Sequence, residues 1–337
     1  MSDNKLKKQK VFTSLSDALE SPDKVYRLDL SKHPFYEFPL RLLQFKNLQE
    51  LVLNETNIAE LPKKIGDFKN LQVLCLNGNF IKEIPVEINK LEYLEILELK
   101  NNKLVHLPEE LSELVNLREL DITFNKIVAL PLNIGNLRKL ENLDISFSSI
   151  TELPVSFGNL ENLRVLNMPG VSKIEKLPAS FSNLSKLQIL NFSNCSSLKI
   201  DENTIQLCKL NALERLNLYG IELIALPACF SNLSSLVELN LARNKKLDFV
   251  RTLALLGKLP KLKELDLSEN ELLELPLEII SIKGLQELNL SINKIEQVLP
   301  VFSKLSSLKK LTLYNNRIRK DDIDTLKNHL PRCAILY

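Results

Sequence analysis

Residues 94–116 read LEILELKNNKLVHLPEELSELVN, and variants of this 23-residue unit fill most of the 337-residue chain. Its leucines stand at positions 1, 4 and 6 (Leu94, Leu97 and Leu99), and Asn102 stands at position 9. Nine of the twelve intervals between successive first positions are 23 residues. A fixed period of this length predicts a stack of similar units rather than separate globular domains. The thirteen first positions are Val25, Leu48, Leu71, Leu94, Leu117, Leu140, Leu163, Leu187, Leu213, Leu236, Leu262, Leu285 and Leu308.

Each position of the unit has a predicted structural role. The alternation Leu97-Glu98-Leu99 predicts a short strand with the leucines in the core and Glu98 outside. Asn102 can bond backbone groups of its own turn and of the neighbouring one. A proline recurs at the position of Pro108, where it prevents a long helix on the far side of the unit. We therefore expect thirteen parallel strands joined by short, partly 3₁₀ segments.

The form Leu-Pro-x-x-Ile-x-x-Leu-x-x-Leu, as in LPKKIGDFKNL (61–71) and LPLNIGNLRKL (130–140), resembles the leucine-rich repeats of the Ras-binding scaffold and its plant intracellular relatives. The segment LPASFSNLSKLQILNFSNCSSLK (177–199) is similar to repeats of plant disease-resistance proteins. The chain also resembles cytoplasmic bacterial proteins that consist of such repeats alone. The resemblance implies an α/β solenoid, a horseshoe with one concave parallel sheet and short convex 3₁₀ or helical segments. It also implies a non-enzymatic scaffold, which in some members binds a small GTPase or another signalling protein.

The two ends differ from the repeats. Residues 1–11 are basic and are expected to be a disordered tail, and residues 12–24 to hold a cap helix with Ser14 at its start. The repeats are expected over residues 25–318. Residues 319–337 read as a second cap, a helix followed by a last strand at 333–336. Both ends look finished, which favours a complete protein.

The middle departs from the pattern. Position 9 is asparagine in most repeats, but Ser148, Val171, Cys195 and Ile221 interrupt this series, and the intervals lengthen over the same stretch. We expect a change of curvature near residues 163–215. The irregular repeats of residues 163–235 are either drift within a tolerant fold or a shaped binding region, and the sequence leaves both open.

The exposed face of the predicted sheet is acidic. Positions 3 and 5 hold ten acids and three bases in a chain whose net charge is +2. Such a surface favours a basic partner and repels nucleic acid. The acids also serve to keep an exposed sheet soluble. The ten acids are Asp29, Glu50, Glu98, Glu119, Asp121, Asp144, Glu238, Glu264, Asp266 and Glu287, and the bases are Arg27, Arg215 and Lys310.

Two phenylalanines interrupt this polar surface. Phe124 and Phe147 both occupy position 8, one repeat apart. Exposed aromatic residues beside acids are typical of protein-binding hot spots, although the rings can also simply pack on each other. We predict a partner-binding surface on the concave face formed by Glu98, Glu119, Asp121, Phe124, Asp144, Phe147, Asn167 and Tyr219.

Other classes of site find no support in the sequence. We see no glycine-rich phosphate loop, no metal-ligand spacing around the three histidines and no nucleophile–base pair, so we expect no catalytic residue, cofactor or metal. No apolar run is long enough for a membrane span, and no secretory signal is evident. The chain has five cysteines and no Cys-x-x-Cys motif, so we expect reduced thiols, with Cys75 accessible and Cys195 buried. We also expect the protein to be cytoplasmic and monomeric. The alternative is an extracellular or surface recognition protein.

Overall fold

The computed structural model describes residues 6–201, 204–298 and 300–337. The chain forms two compact units, Met1–Asn167 and Met168–Tyr337. In each unit, consecutive strands pair in parallel and in chain order, with one strand for each repeat. The predicted leucine-rich solenoid architecture is confirmed in both units.

The described part of the first unit contains eight strands and a five-residue α-helix near its start. Helix α1 spans Leu15–Leu19, and Ser14 caps it by accepting a hydrogen bond from the Asp17 backbone N–H. Short 3₁₀ segments connect the strands, as the prolines predict. These segments are Pro22–Lys24, Leu40–Gln44, Lys63–Asp67, Val86–Lys90, Glu109–Glu113, Ile134–Asn136 and Val155–Asn159. The strands are β1 (Val11–Phe12), β2 (Arg27–Asp29), β3 (Glu50–Val52), β4 (Val73–Cys75), β5 (Ile96–Glu98), β6 (Glu119–Asp121), β7 (Asn142–Asp144) and β8 (Val165–Asn167).

The described part of the second unit contains seven strands and two α-helices. Helix α2 (Phe249–Leu256) replaces a 3₁₀ segment in one of the longer repeats, and helix α3 (Lys320–His329) precedes the last strand. The 3₁₀ segments are Ala179–Asn183, Leu207–Lys209, Ala228–Asn232, Leu277–Ser281 and Phe302–Lys304. The strands are β9 (Ile189–Asn191), β10 (Arg215–Asn217), β11 (Glu238–Asn240), β12 (Glu264–Asp266), β13 (Glu287–Asn289), β14 (Lys310–Thr312) and β15 (Ala334–Leu336).

The start of the chain corrects one prediction. Part of the segment expected to be a disordered tail is ordered: Leu6 is buried, and strand β1 pairs with β2 through Val11 and Arg27. The reason is that the first repeat would otherwise leave its core and one strand edge uncovered. The cap helix is also shorter than expected, since it spans only Leu15–Leu19. Residues 1–5 lie outside the described residues.

Leucines and asparagines hold the repeats together. The side chains of positions 4 and 6 are buried throughout, as Leu120 and Ile122 show. At position 9, Asn102 is buried and accepts from the Ile81 backbone N–H at 3.0 Å. Its amide nitrogen donates to the carbonyls of Leu76 and Leu99, both at 2.9 Å. The side chain therefore links two neighbouring repeats through backbone groups that the strands leave unpaired.

Candidate functional site

The strongest candidate for a site is a pair of aromatic rings in the first unit, Phe124 and Phe147, which we call the aromatic ledge. Each ring is 47% exposed, and the two are stacked with centroids 4.4 Å apart and an interplanar angle of 2°. Both residues have φ of 54°, in the left-handed region. A bulky side chain there costs about 1–2 kcal/mol, which glycine or asparagine would avoid. Two exposed apolar rings at a position where polar residues and glycine predominate form an apolar patch, which makes the ledge a candidate binding surface.

Other repeats show what this position ordinarily holds. Position 8 has positive φ in all thirteen repeats. Six hold glycine or asparagine, which suit this conformation, four hold a charged residue (Lys32, Glu55, Arg243 and Glu269), and three hold an apolar residue. Ile292 in the second unit is a further apolar exception, with φ of 55° and an exposure of 51%. Position 8 therefore imposes the left-handed backbone, and the phenylalanines are costly choices at two successive repeats.

A cation already lies beside the ledge. The Lys100 Nζ is 5.9 Å from the centroid of the Phe124 ring. The face of an aromatic ring attracts cations through its quadrupole, and this lysine lies within that range of the Phe124 ring.

Four carboxylates adjoin the ledge on the strands that precede it. Glu98, Asp121 and Asp144 are aligned partners on strands β5, β6 and β7, and Asn167 continues this row on β8. Glu119 lies on β6, two residues before Asp121. Adjacent strands are roughly 4.8 Å apart, so the row forms one continuous acidic strip. The structure thus places seven of the eight predicted residues together in the first unit.

Asp121 and Asp144 also have a structural role that the sequence analysis missed. The Asp121 Oδ1 accepts from the Thr123 backbone N–H at 2.8 Å. The Asp144 Oδ1 accepts from the backbone N–H of Ser146 at 3.0 Å and from its hydroxyl. Asn217 does the same for Tyr219 in the second unit. The recurrence of aspartate or asparagine at position 5 was the available signal, since both can cap a backbone N–H two residues on.

The acidic excess is greater in the first unit. Its positions 3 and 5 carry six acids and one base, Arg27, which forms a two-point ion pair with Glu50 at 2.7 and 3.0 Å. The second unit has four acids and two bases, and both bases pair with acids: Arg215 with Glu238 and Lys310 with Glu287, each at 3.4 Å. Five acids at positions 3 and 5 of the first unit therefore have no ion-pair partner at these positions, which favours a basic partner on this part of the sheet.

Tyr219, the eighth predicted residue, belongs to the second unit. Its hydroxyl donates to the carboxylate of Glu269, 3.2 Å from either oxygen, and the Arg243 guanidinium lies 5.9 Å from its ring centroid. These contacts give Tyr219 a local structural role, and it stays a prediction as a binding residue.

The irregular repeats of the second unit form a groove of about 610 Å³. Leu198, Ile200, Leu223 and Ile224 contribute apolar lining, and Ile224 is 70% exposed. That these repeats form a shaped binding region stays a prediction, and this groove is the place where it can be tested.

The cysteines correct a second prediction. Cys208 and Cys229 form a disulfide between the 3₁₀ segments of consecutive repeats, with Cα atoms 5.6 Å apart, where reduced thiols were expected. The physical reason is that stacking brings these two segments within disulfide reach, although the cysteines are 21 residues apart in sequence. Cys75 was expected to be accessible, but it is buried at 8% exposure between neighbouring strands. Cys195 is buried, as predicted.

Among the described residues, no group of three or more histidine, cysteine or acidic side chains is arranged to hold a metal ion. The same part of the chain contains no helix that is both long and apolar enough to cross a membrane.

Comparison with known families identifies the repeats. A family described as "leucine-rich repeat region" matches residues 40–126 and 107–219, and one described as "leucine rich repeat" matches residues 260–318. This chain belongs to the leucine-rich-repeat family. A sequence comparison with curated proteins finds no significant match.

Solved leucine-rich-repeat structures resemble the chain over most of its length. A Leptospira interrogans LRR protein is 28% identical, with a TM-score of 0.64, and the match covers 98% of this chain and 100% of that one. The internalin InlF of Listeria monocytogenes has a TM-score of 0.75 over 94% of this chain and 88% of its own, and its 19% identity shows the fold alone. The plant peptide hormone receptor RGFR1, solved in complex with RGF2, is 28% identical with a TM-score of 0.61 over 87% of this chain and 47% of its own.

Proposed function

We propose that this leucine-rich-repeat protein is a non-enzymatic protein-binding module whose first unit binds a partner with a basic surface. The observation that carries this proposal is the aromatic ledge, where Phe124 and Phe147 are exposed, stacked and held at positive φ. Burial of two aromatic rings gives binding energy at a small rotamer cost. The strip of Glu98, Glu119, Asp121 and Asp144 steers a basic surface toward the ledge. The complex of RGFR1 with RGF2 supports the proposal by showing a related repeat receptor with its bound ligand.

The partner we propose is a signalling protein, with small GTPases as the class implied by the sequence resemblance. One monomer of this protein would bind one partner molecule. Photocrosslinking tests the site: benzoylphenylalanine at position 147 should attach the partner in extract from the source organism. The same amino acid in place of Leu132, which is 71% exposed outside the ledge, is the control. Attachment from position 132 and not from 147 would place the interface elsewhere.

Removal of two charges should slow association with the partner. In Asp121→Asn/Asp144→Asn, the amide oxygens keep the backbone caps, as Asn217 does, while the carboxylate charges are lost. We expect the association rate constant to fall by roughly tenfold at low salt, because steering depends on charge. The difference should shrink above about 0.1 M salt, where screening acts over about 10 Å.

Surface plasmon resonance across a salt series measures this effect. Asp266→Asn is the matched control, since Asp266 caps Ser268 in the same way in the second unit. Equal association rates for the double variant and wild type at low salt would contradict steering by this strip.

The disulfide favours a second setting for the same binding activity. Disulfides persist in oxidising compartments and are rare in the cytosol. The bond between Cys208 and Cys229 therefore supports surface or extracellular recognition over the cytoplasmic setting that the sequence favoured. The thiol state of the protein isolated from its source distinguishes the two.

Alkylation without reduction should modify three cysteines of the denatured protein, Cys75, Cys195 and Cys333, and leave Cys208 and Cys229 unmodified. In the folded protein, Cys333 should react first, because Cys75 and Cys195 are buried. Burial raises the pKa of the Cys195 thiol to about 12, and burial followed by the nearby Glu98 raises the pKa of Cys75 further. Mass spectrometry counts the modified residues. Five alkylated cysteines in protein isolated without reductant would support the cytoplasmic setting instead.

A further inference from the structure

A basic groove in the first unit is separate from the aromatic ledge. It encloses about 590 Å³ and lies beside the turns that follow position 9. Three lysines, Lys82, Lys103 and Lys126, line it, and Glu83 is the only acid among its lining residues. The apolar part of its lining includes Val105, which is 39% exposed, and Ile84, which is buried. The groove thus combines a net positive charge with an aliphatic surface.

None of these three lysines forms an ion pair within residues 6–201, 204–298 and 300–337. Lys103 and Lys126 occupy position 10 of consecutive repeats, so two like charges lie on adjacent turns. Like charges in register repel each other. An anion bound between them would remove that repulsion.

At position 10 of the second unit, the lysine charges are balanced by a carboxylate of the protein itself. There Lys245, Glu271 and Lys294 succeed one another at position 10, and the Glu271 carboxylate pairs with both lysines, with Lys294 at 2.7 Å. These two lysines lower the pKa of Glu271 to about 2, so its carboxylate stays charged at acidic pH values where an ordinary glutamate is protonated. In the first unit, Lys103 and Lys126 follow each other directly at position 10, and their neighbours at that position are Phe80 and Ser149, so no carboxylate of this series pairs with either lysine.

We propose that this groove binds an acidic segment of a partner protein that carries an aliphatic side chain. The carboxylates of the segment would pair with Lys103 and Lys126, and its aliphatic group would cover the exposed side chain of Val105. This surface differs from the ledge in both location and sign of charge.

Fluorescence anisotropy with a labelled peptide, EELEELEE, tests the proposal on the full-length protein. Binding should weaken at least tenfold in Lys103→Ser/Lys126→Ser and should decrease as salt rises. The backbone N–H groups of both lysines donate to Ile81 and Leu104, so the substitutions leave the repeat hydrogen bonds in place. Lys46→Ser/Lys69→Ser is the control and should bind like wild type, because these two lysines also lie one repeat apart in the first unit but at position 22, outside the groove.

Two further peptides separate the contributions. QQLQQLQQ should fail to bind because it lacks charge, and EESEESEE should bind more weakly than EELEELEE because it lacks the aliphatic side chain. Absence of EELEELEE binding at millimolar concentration, or equal loss in the control variant, would overturn the proposal. Competition with 10 mM inorganic phosphate tests for a small-anion site. If phosphate displaces the labelled peptide as effectively as unlabelled EELEELEE does, with binding reduced on the order of tenfold, and this effect depends on the two lysines, the groove binds small anions and the proposal is overturned.

Discussion

Replacing Asn102 by leucine should lower the free energy of unfolding by roughly 4 kcal/mol. The Asn102 side chain satisfies the Ile81 N–H and the carbonyls of Leu76 and Leu99, and the site is buried. Leucine fills a similar volume but leaves the Ile81 N–H without a partner. The Leu76 and Leu99 carbonyls each lose one of two amide donors, at about 0.5–1.5 kcal/mol each, and keep those of Asn79 and Asn125. Each unsatisfied buried group costs about 1–3 kcal/mol. Urea denaturation followed by circular dichroism measures the change.

Ser148 provides the control for this prediction, since it occupies position 9 in the repeat that follows the repeat of Asn125. It is buried, but its hydroxyl oxygen has no hydrogen-bond partner. Ser148→Ala should therefore change the free energy of unfolding by less than about 1 kcal/mol. If Asn102→Leu were as mild as Ser148→Ala, the hydrogen bonds of the asparagine ladder would not be a principal source of stability.

The double substitution Phe124→Asn/Phe147→Asn should weaken partner binding by about 30-fold or more, equivalent to about 2 kcal/mol or more. The loss should appear mainly as faster dissociation, because truncation removes buried apolar contact. The folded protein should melt no lower than wild type. Asparagine tolerates positive φ, and the relief of about 1–2 kcal/mol at each position offsets the lost ring stacking.

Ile292→Asn is the matched control for the ledge. Ile292 occupies position 8 in the second unit, with φ of 55° and 51% exposure, so the same change is made in the same backbone conformation. Dissociation rates measured by surface plasmon resonance should be unchanged in this variant. A lower melting temperature for the ledge variant would show that the rings serve packing, contrary to our interpretation.

The sequence predicts the repeats well because their signal is repeated thirteen times. The leucines of positions 4 and 6 must be buried wherever strands stack, so β5, with Leu97, and its equivalents are predictable from period alone. The last strand, Ala334–Leu336, was also predictable, from the short apolar run after Pro331. Strand β1 was not, because two residues of strand carry no periodicity and pair only once the first repeat exists.

The candidate site was predictable in residue identity but not in its physical basis. Position 8 indicated that Phe124 and Phe147 are neighbours, yet the positive φ that makes them costly is a property of the folded turn. The carboxylates of Asp121 and Asp144 were assigned only to binding, whereas the structure shows that they also cap backbone N–H groups. The disulfide was missed because stacking, rather than a sequence motif, brings Cys208 and Cys229 together.

Comparative affinity capture tests the central claim, that the aromatic ledge of the first unit is the partner-binding site. Wild type, Phe124→Asn/Phe147→Asn and Ile292→Asn would be immobilised at equal density and exposed to the same source extract, and the retained proteins quantified by mass spectrometry. We predict that a protein with a basic surface is retained by wild type and by Ile292→Asn, and is lost from the ledge variant. The same proteins retained in equal amounts by all three would contradict the claim.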